Sequence, residues 1–361
     1  MSLRAKRGHL DNNPLKEDLD HILAHTEGLW GGLRGKRVFI TGGTGFFGCW
    51  LLESFAWANE KLGLNASMLV LTRNLEAFKK KVPHLADQPS IAFHIGDVRS
   101  FDFPRGDFPY IIHAAASLSS DLNGADSLQM FDTIVDGTRH TLEFAKQCGV
   151  KKFLLISSGA VYGKQPPEIT HIPEDYQGAP NPIDWRSVYG EGKRVAEHLG
   201  ILNAKQSGFE TKIARCFAFV GPYQSLNGQW AIANFIRDGL NGSPILVKGD
   251  GTPYRSYLYA ADLMIFLWTI LFKGESCVPY NVGSDLEINI RSLAEIVSSV
   301  FEMEKDEDVV ISRKPDLMTN VDRYVPSTKR AQEKLDLKQE IDLQDAIKKT
   351  IKYIKFRERN I

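Results

Sequence analysis

Residues 36–48, Lys36-Arg-Val-Phe-Ile-Thr-Gly-Gly-Thr-Gly-Phe-Phe-Gly48, decide how the rest of the chain is read. The apolar and β-branched run Val38 to Thr41 predicts a short strand buried on both faces, and the glycines after it open a helix over about Phe46 to Trp57. Such a strand, turn and helix form the entry of a dinucleotide-binding βαβ unit. Gly42 suits the positive φ of the tight turn, Gly45 leaves room for backbone N–H groups to approach a pyrophosphate, and Gly48 lets the helix pack close to the strand. Phosphates then meet the helix N-terminus, where free N–H groups and the macrodipole favour anions. The spacing is G-x-x-G-x-x-G rather than G-x-G-x-x-G, so the flanking strand and helix carry the reading more than the glycines do.

Working outward, strand patterns recur at Met68–Thr72, Ile91–Ile95, Tyr110–His113, Phe153–Ser157 and Thr211–Phe217. Helical patterns over about Ala125–Cys148 and Ser187–Gln206 alternate with the later of these strands, which predicts an α/β fold with a doubly wound parallel sheet of Rossmann type. Upstream, Asn13-Pro14 reads as an N-cap and first-turn proline for a helix carrying Leu15, Leu19, Ile22 and Leu23, packed on the main domain or on a partner subunit. Residues 163–186 are rich in proline and polar side chains and read as a long functional loop. Beyond Gly221-Pro222 the elements shorten, with apolar helices near residues 260–272, 290–301 and 343–354. The expected organisation is an N-terminal extension (1–35), a Rossmann domain (36–221 with about 256–283) and a smaller interleaved C-terminal α/β substrate lobe (222–255 and 284–361).

Composition excludes several classes. The 361 residues balance 44 Lys plus Arg against 44 Asp plus Glu, so no nucleic acid is expected as a partner. Cys49, Cys148, Cys216 and Cys277 are far apart and form no C-x-x-C, which supports neither a metal site nor a disulfide framework and fits a reducing, cytoplasmic location. No apolar h-region and no 18-residue apolar run occurs, so no membrane partner is expected.

Tyr189-Gly-Glu-Gly-Lys193 puts a phenol and an ammonium on one helical face. A neighbouring cation favours phenolate and draws a tyrosine down from about 10 towards working pH, making it a general base or acid. About 30 residues earlier, Ser157-Ser158-Gly-Ala-Val-Tyr-Gly163 follows a predicted strand, at the end where doubly wound sheets bind ligands. His113, at the end of an apolar strand, reads as a satisfied structural histidine, and Trp185, Trp230 and Trp268 read as packing.

With these features the sequence resembles the extended short-chain dehydrogenase/reductases, in particular the NAD-dependent epimerase/dehydratase group acting on nucleotide sugars. The resemblance rests on residues 41–48, Gly96-Asp97-Val98, His113 to Ala116, Gly137-Thr138, Ser157-Ser158, Val161-Tyr-Gly163, Tyr189 with Lys193, Gly221-Pro222, Gly249-Asp-Gly251 with Arg255, and Asp262. It implies that Ser158 is the catalytic hydroxyl, Tyr189 the acid/base, and Lys193 the residue that binds the nicotinamide ribose and lowers the tyrosine pKa. It implies adenine contacts from Asp97 and Val98, and a pyrophosphate and ribose wall from Ala114, Ala115 and Ala116. The remaining cofactor contacts are expected from Gly42, Thr44, Gly45, Phe46, Phe47, Gly48, Thr72, Arg73 and Ser157. Thr72-Arg73 ends the second strand without an acid to grip the ribose hydroxyls, which tilts the cofactor from NAD towards NADP. Ser119, Ser158, Arg255 and Arg323 are assigned to a nucleotide-diphosphate sugar substrate, the arginines because their planar fork matches phosphate oxygens. The family also implies a homodimer through helices 125–148 and 187–206.

Departures from the family pattern narrow the chemistry. Gly159 and Ala160 stand where sugar 4,6-dehydratases carry an Asp-Glu pair and where decarboxylases carry a glutamate at the second position. Ala218 and Ile134 stand where asparagines are usual. What remains needs only Ser158, Tyr189, Lys193 and a hydride carrier. The expected function is 4-epimerisation through a transient 4-keto sugar, with the small residues 159 and 160 leaving space for that sugar to turn. The alternatives are an NADPH-dependent reductase of a 4-keto sugar nucleotide and, in another class, a non-catalytic NAD(P)-binding sensor or scaffold.

Overall fold

Arg37–Thr41 (β1) is an interior strand, third from one edge, of a seven-stranded, all-parallel sheet in a computed structural model that describes residues 13–116, 124–228, 230–303, 308–314 and 320–359. Its partners are Ser67–Thr72 (β2), Ile91–Ile95 (β3), Tyr110–His113 (β4), Lys152–Ser158 (β5), Glu210–Cys216 (β6) and Pro279–Val282 (β7). The order across the sheet is β3-β2-β1-β4-β5-β6-β7. Every strand pair is parallel, so each connection must cross a face of the sheet, and helices cover both faces.

Alternation along β1 assigns those faces. Val38 and Ile40 point to one core together with Trp50 of helix α2 (Phe46–Lys61) and Trp268 of the long apolar helix Ala260–Lys273. Phe39 points to the other core, with Ile134 and Phe144 of helix α3 (Gly124–Gln147) and Ala196 of helix α4 (Val188–Ser207). The doubly wound sheet read from the sequence is therefore the observed fold, with strand ends displaced by one residue and the helices expected over 46–57 and 343–354 running on to Lys61 and Arg359.

The N-terminal helix α1 spans Lys16–Thr26 and buries Leu15, Leu19 and Ile22 in the first core. It starts later than the Asn13-Pro14 cap predicts, because the Asn13 side chain accepts the Leu15 N–H (2.8 Å) in a turn ahead of the helix. Its buried Asp18 accepts from the Tyr259 hydroxyl (2.7 Å) and the Lys349 ammonium (2.8 Å), satisfying a charge that burial alone would make costly. The segments 222–255 and 284–361 add helices Ala231–Leu240, Ile290–Val300 and Leu343–Arg359 and two small sheets: Ile245–Val247 with Val309–Ile311, and Tyr254–Arg255 between Ile288–Asn289 and Arg323–Tyr324. Among the described residues no helix is long and apolar enough to cross a membrane, and no group of three or more His, Cys, Asp or Glu is placed to hold a metal ion.

Candidate active site

The carboxyl ends of β1, β2, β4, β5 and β6 open onto a cleft of about 840 Å³. At one end stands the glycine turn. Gly42 has φ +71°, and a Cβ there would lie 2.5 Å from the Ala114 carbonyl, so both the turn and the close approach of β4 demand glycine. Helix α2 begins at Phe46 without a side-chain cap, which leaves its first-turn N–H groups facing the cleft with no acceptor inside the helix. That donor set fits a phosphate. Thr44, Gly45, Phe46, Phe47, Thr72, Arg73, Val98 and Ala114 to Ala116 line this end with Asp97, whose carboxyl is held below its usual range by the Arg99 guanidinium (2.8 Å). Gly48 lies behind this wall, where a Cβ would sit 2.3 Å from the Gly43 carbonyl carbon.

His113 braces the wall from below. Its ring lies between the hydroxyls of Thr41 (Nδ1, 2.9 Å) and Thr138 (Nε2, 3.0 Å). The Thr138 hydroxyl donates to the Ile134 carbonyl (2.6 Å), so Nε2 carries the proton and Nδ1 accepts from Thr41. Thr41 in turn accepts the Ala115 N–H (3.2 Å). Burial pushes the imidazole down to about 3, the structural role expected of it. The native state therefore binds fewer protons than the unfolded chain between pH 6.5 and about 3. Stability should be complete above pH 6.5 and fall by about 1.4 kcal/mol per unit as the pH drops through that window. In urea titrations His113→Gln should lose this part of the acid slope; an unchanged slope would show that His113 does not titrate on unfolding.

At the other end Ser158 closes β5, and α4 brings Tyr189 and Lys193 over it. The Ser158 oxygen accepts the Ala160 N–H (3.1 Å), and Tyr189 lines the cleft beside it. The Lys193 ammonium donates to the Ile156 carbonyl (2.7 Å), lies 5.9 Å from the Tyr189 ring centroid, and is pushed down to about 8 by burial. Here the geometry departs from the sequence expectation of a tyrosine drawn down by lysine. Burial pushes Tyr189 up to about 12, and the nearby Ser158 hydroxyl offsets only part of that rise. Lys193 is turned towards the Ile156 carbonyl rather than the phenol, and at about 8 it still carries most of its charge at neutral pH.

The small residues 159 and 160 divide. Ala160 lines the cleft, but the space beside Gly159 is filled: a Cβ there would meet the Phe217 ring at 2.6 Å. Among the described residues Asp97 is the only carboxylate lining the cleft. It follows β3, four strands from β5 and so about 19 Å from Ser158 at normal strand spacing.

Arg255 and Arg323 do not line the cleft. Arg255 donates to Asp322 (2.7 Å) and to the Tyr254 carbonyl (2.7 Å), while Arg323 pairs with Glu287 and lies 4.2 Å over the Tyr254 ring. Ser119 lies outside the described residues. The cleft instead gathers Arg186, Phe217, Gln224, Asn227, Trp230 and Tyr324, none of which the sequence reading placed there. Packing is the right account of fully buried Trp268, but Trp185 and Trp230 are 56% and 48% exposed, and Trp230 lines the cleft. An aromatic side chain directly after Arg323 was the one available signal for Tyr324.

Residues 38–283 match the model of the NAD dependent epimerase/dehydratase family. UDP-glucuronic acid decarboxylase 1 of Arabidopsis thaliana is 30% identical over 320 residues, covering 89% of this chain and 70% of that protein. UDP-glucuronic acid decarboxylase 5 of the same plant is 33% identical over 288 residues, covering 78% of this chain and 81% of that protein. Among solved structures, a UDP-glucuronic acid 4-epimerase of Bacillus cereus superposes with a TM-score of 0.75 at 20% identity, covering 89% of this chain and 99% of that one. This last likeness is one of fold.

Proposed function

The chain belongs to the NAD dependent epimerase/dehydratase family of nucleotide-sugar enzymes, and from that premise we propose that it is a nucleotide-sugar 4-epimerase working through a transient 4-keto sugar. One observation carries the reading: Ser158, Tyr189 and Lys193 meet at the end of β5, and among the described residues the only carboxylate lining their cleft is Asp97, at its far end. Elimination and decarboxylation of the usual design need an acid/base at position 159 or 160, and Gly159 and Ala160 move no proton.

In this reading Tyr189 takes the proton from the sugar 4-hydroxyl and, once the keto sugar has turned to offer its other face for hydride return, gives a proton back to the same oxygen. Ser158 donates to the same oxygen as it becomes a carbonyl, and Lys193 holds the cofactor ribose. When bound, the nicotinamide dinucleotide supplies the hydride acceptor and, oxidised, a positive charge that favours the Tyr189 phenolate. Gly42, Thr44, Gly45, Phe46 and Phe47 would hold its pyrophosphate, Asp97 and Val98 its adenine, and Thr72 with Arg73 its adenosine ribose, where the absence of an acid favours NADP. Residues 222–255 and 284–361 serve as the substrate lobe, with Arg255 and Arg323 exchanging their carboxylate partners for the diphosphate. The names of the relatives make a UDP-sugar the first substrate to try.

The test is incubation with a panel of UDP-, dTDP-, GDP- and CDP-sugars without added reductant. A C4 epimer formed with no net change in nicotinamide absorbance supports the reading. Conversion of keto sugars alone, with one NADPH consumed per turnover, would replace it with the reductase; cofactor binding without any turnover would replace it with the sensor. The reading includes a homodimer through α3 and α4, which leave Leu128 and Leu202 exposed on their outer faces. Light scattering at micromolar concentration should report twice the chain mass, and a single-chain mass would contradict it.

A further inference from the structure

Along one face of α4 the residues Tyr189, Lys193 and Glu197 follow one another at four-residue spacing, and the last of them has no part in the chemistry described so far. Its side chain is buried, and donors converge on it from two strands. Arg215 of β6 grips both carboxyl oxygens (Nε to Oε1, 3.0 Å; Nη2 to Oε2, 2.7 Å), and the Ser157 hydroxyl of β5 donates to Oε1. A group that only accepts, and accepts from a guanidinium, is the ionised carboxylate. The pair is held from behind: Arg215 Nη1 donates to the Tyr162 hydroxyl (2.9 Å), which donates to Asn281 Oδ1 of β7 (2.7 Å). Strand register sets this up, because Ser157 lies directly opposite Arg215 in the β5–β6 ladder and α4 packs on both strands.

This anchor lies one residue from the seat of Lys193. The ammonium donates to the Ile156 carbonyl (2.7 Å), and Glu197 accepts from the side chain of the next residue, Ser157. Ammonium and carboxylate are therefore tied to neighbouring positions of β5, with their own backbones one helical turn apart. An opposite charge at such range favours the charged form of a lysine, against the burial that works to neutralise it. We propose that Glu197 is a positioning residue that, pinned by Arg215 and Ser157, faces Lys193 with a fixed negative charge and keeps its ammonium charged in the cleft. The other titratable groups facing Lys193 among the described residues are neutral near pH 7: burial pushes Tyr189 of the same helix and Cys216 of β6 up, and pushes His113 of β4 down to about 3. The remaining charge is that of Arg215, which opposes the carboxylate and must be separated from it by experiment.

The test reads Lys193 itself, which lines the cleft. Trace acetic anhydride acetylates only the free amine, so labelling of the Lys193 peptide against pH, followed by mass spectrometry, gives the lysine's midpoint without cofactor or substrate. The wild-type midpoint is expected at about 8. Glu197→Gln keeps an oxygen for Ser157 and Arg215 while removing the charge, and the midpoint should fall by about one pH unit. That variant leaves the Arg215 charge unpaired, so Glu197→Gln/Arg215→Gln is measured beside it and decides alone where the single variant does not fold. Its midpoint should also lie below wild type, by a smaller amount. An unmoved midpoint in both marks a purely structural anchor, and a fall confined to the single variant traces the effect to the unpaired Arg215; either result overturns the proposal. The inference rests on the proposed use of Lys193 at the cofactor ribose, so the alkaline loss of NAD affinity should move with the midpoint. A moved midpoint with an unmoved affinity profile would take Lys193 away from the cofactor and leave the role of Glu197 standing, as would a failed sugar panel.

Discussion

Tyr189→Phe should lower turnover by roughly 10²–10⁴-fold, the usual contribution of a general acid–base group, while leaving cofactor affinity close to wild type. The phenol sits at the Ser158 end of the cleft, so losing its hydroxyl removes the proposed proton acceptor without disturbing the glycine turn at the other end. The folded protein should be at least as stable, since Tyr189 is pushed up to about 12 and its neutral ring is replaced by one of the same shape. Steady-state kinetics and a cofactor titration on the same preparation check this. More than half the wild-type rate would remove Tyr189 from the mechanism.

Gly48→Ala should produce the complementary defect. A Cβ at position 48 would lie 2.3–2.4 Å from the backbone of Gly42 and Gly43, closer than any neighbour tolerates, so α2 must move away from the turn. Overpacking of this kind costs about 1–3 kcal/mol of stability, and displacing the phosphate-facing N–H groups by about 1 Å costs on the order of 10²-fold in function. Cofactor affinity should therefore collapse in Gly48→Ala and persist in Tyr189→Phe. Calorimetric titration with NAD and NADP separates the two. Wild-type affinity in Gly48→Ala would show that the turn does not hold the pyrophosphate.

What the sequence disclosed and what it hid follow one physical division. β1 to β6 and helices α2 to α4 were legible because burial on two faces of a parallel sheet imposes local patterns: Val38–Thr41 apolar or β-branched throughout, glycine at the tight turn where φ is positive, and α4 opening with Tyr189 and Lys193 one turn apart. Ser158 and Tyr189 were legible for the same reason, each sitting at a fixed place in such an element. Tyr324 was not, because it reaches the cleft through a two-residue strand whose pairing no local pattern announces. The setting of Lys193 was hidden too. Helical spacing puts it beside Tyr189, but only the fold shows that the Ile156 carbonyl captures its ammonium and that burial, not lysine, sets the phenol's affinity for its proton. The filling of the space at Gly159 by Phe217 is a contact of the same non-local kind.

The central claim is that hydride leaves C4 of the sugar and returns to it from the other face. The most direct measurement uses a nucleotide sugar carrying deuterium at C4, incubated with the protein and a catalytic amount of cofactor, with the epimer analysed by mass spectrometry and NMR. This account predicts an inverted C4 that keeps its deuterium, with none released to water. Loss of the label to solvent, or an epimer inverted at a carbon other than C4, would contradict it.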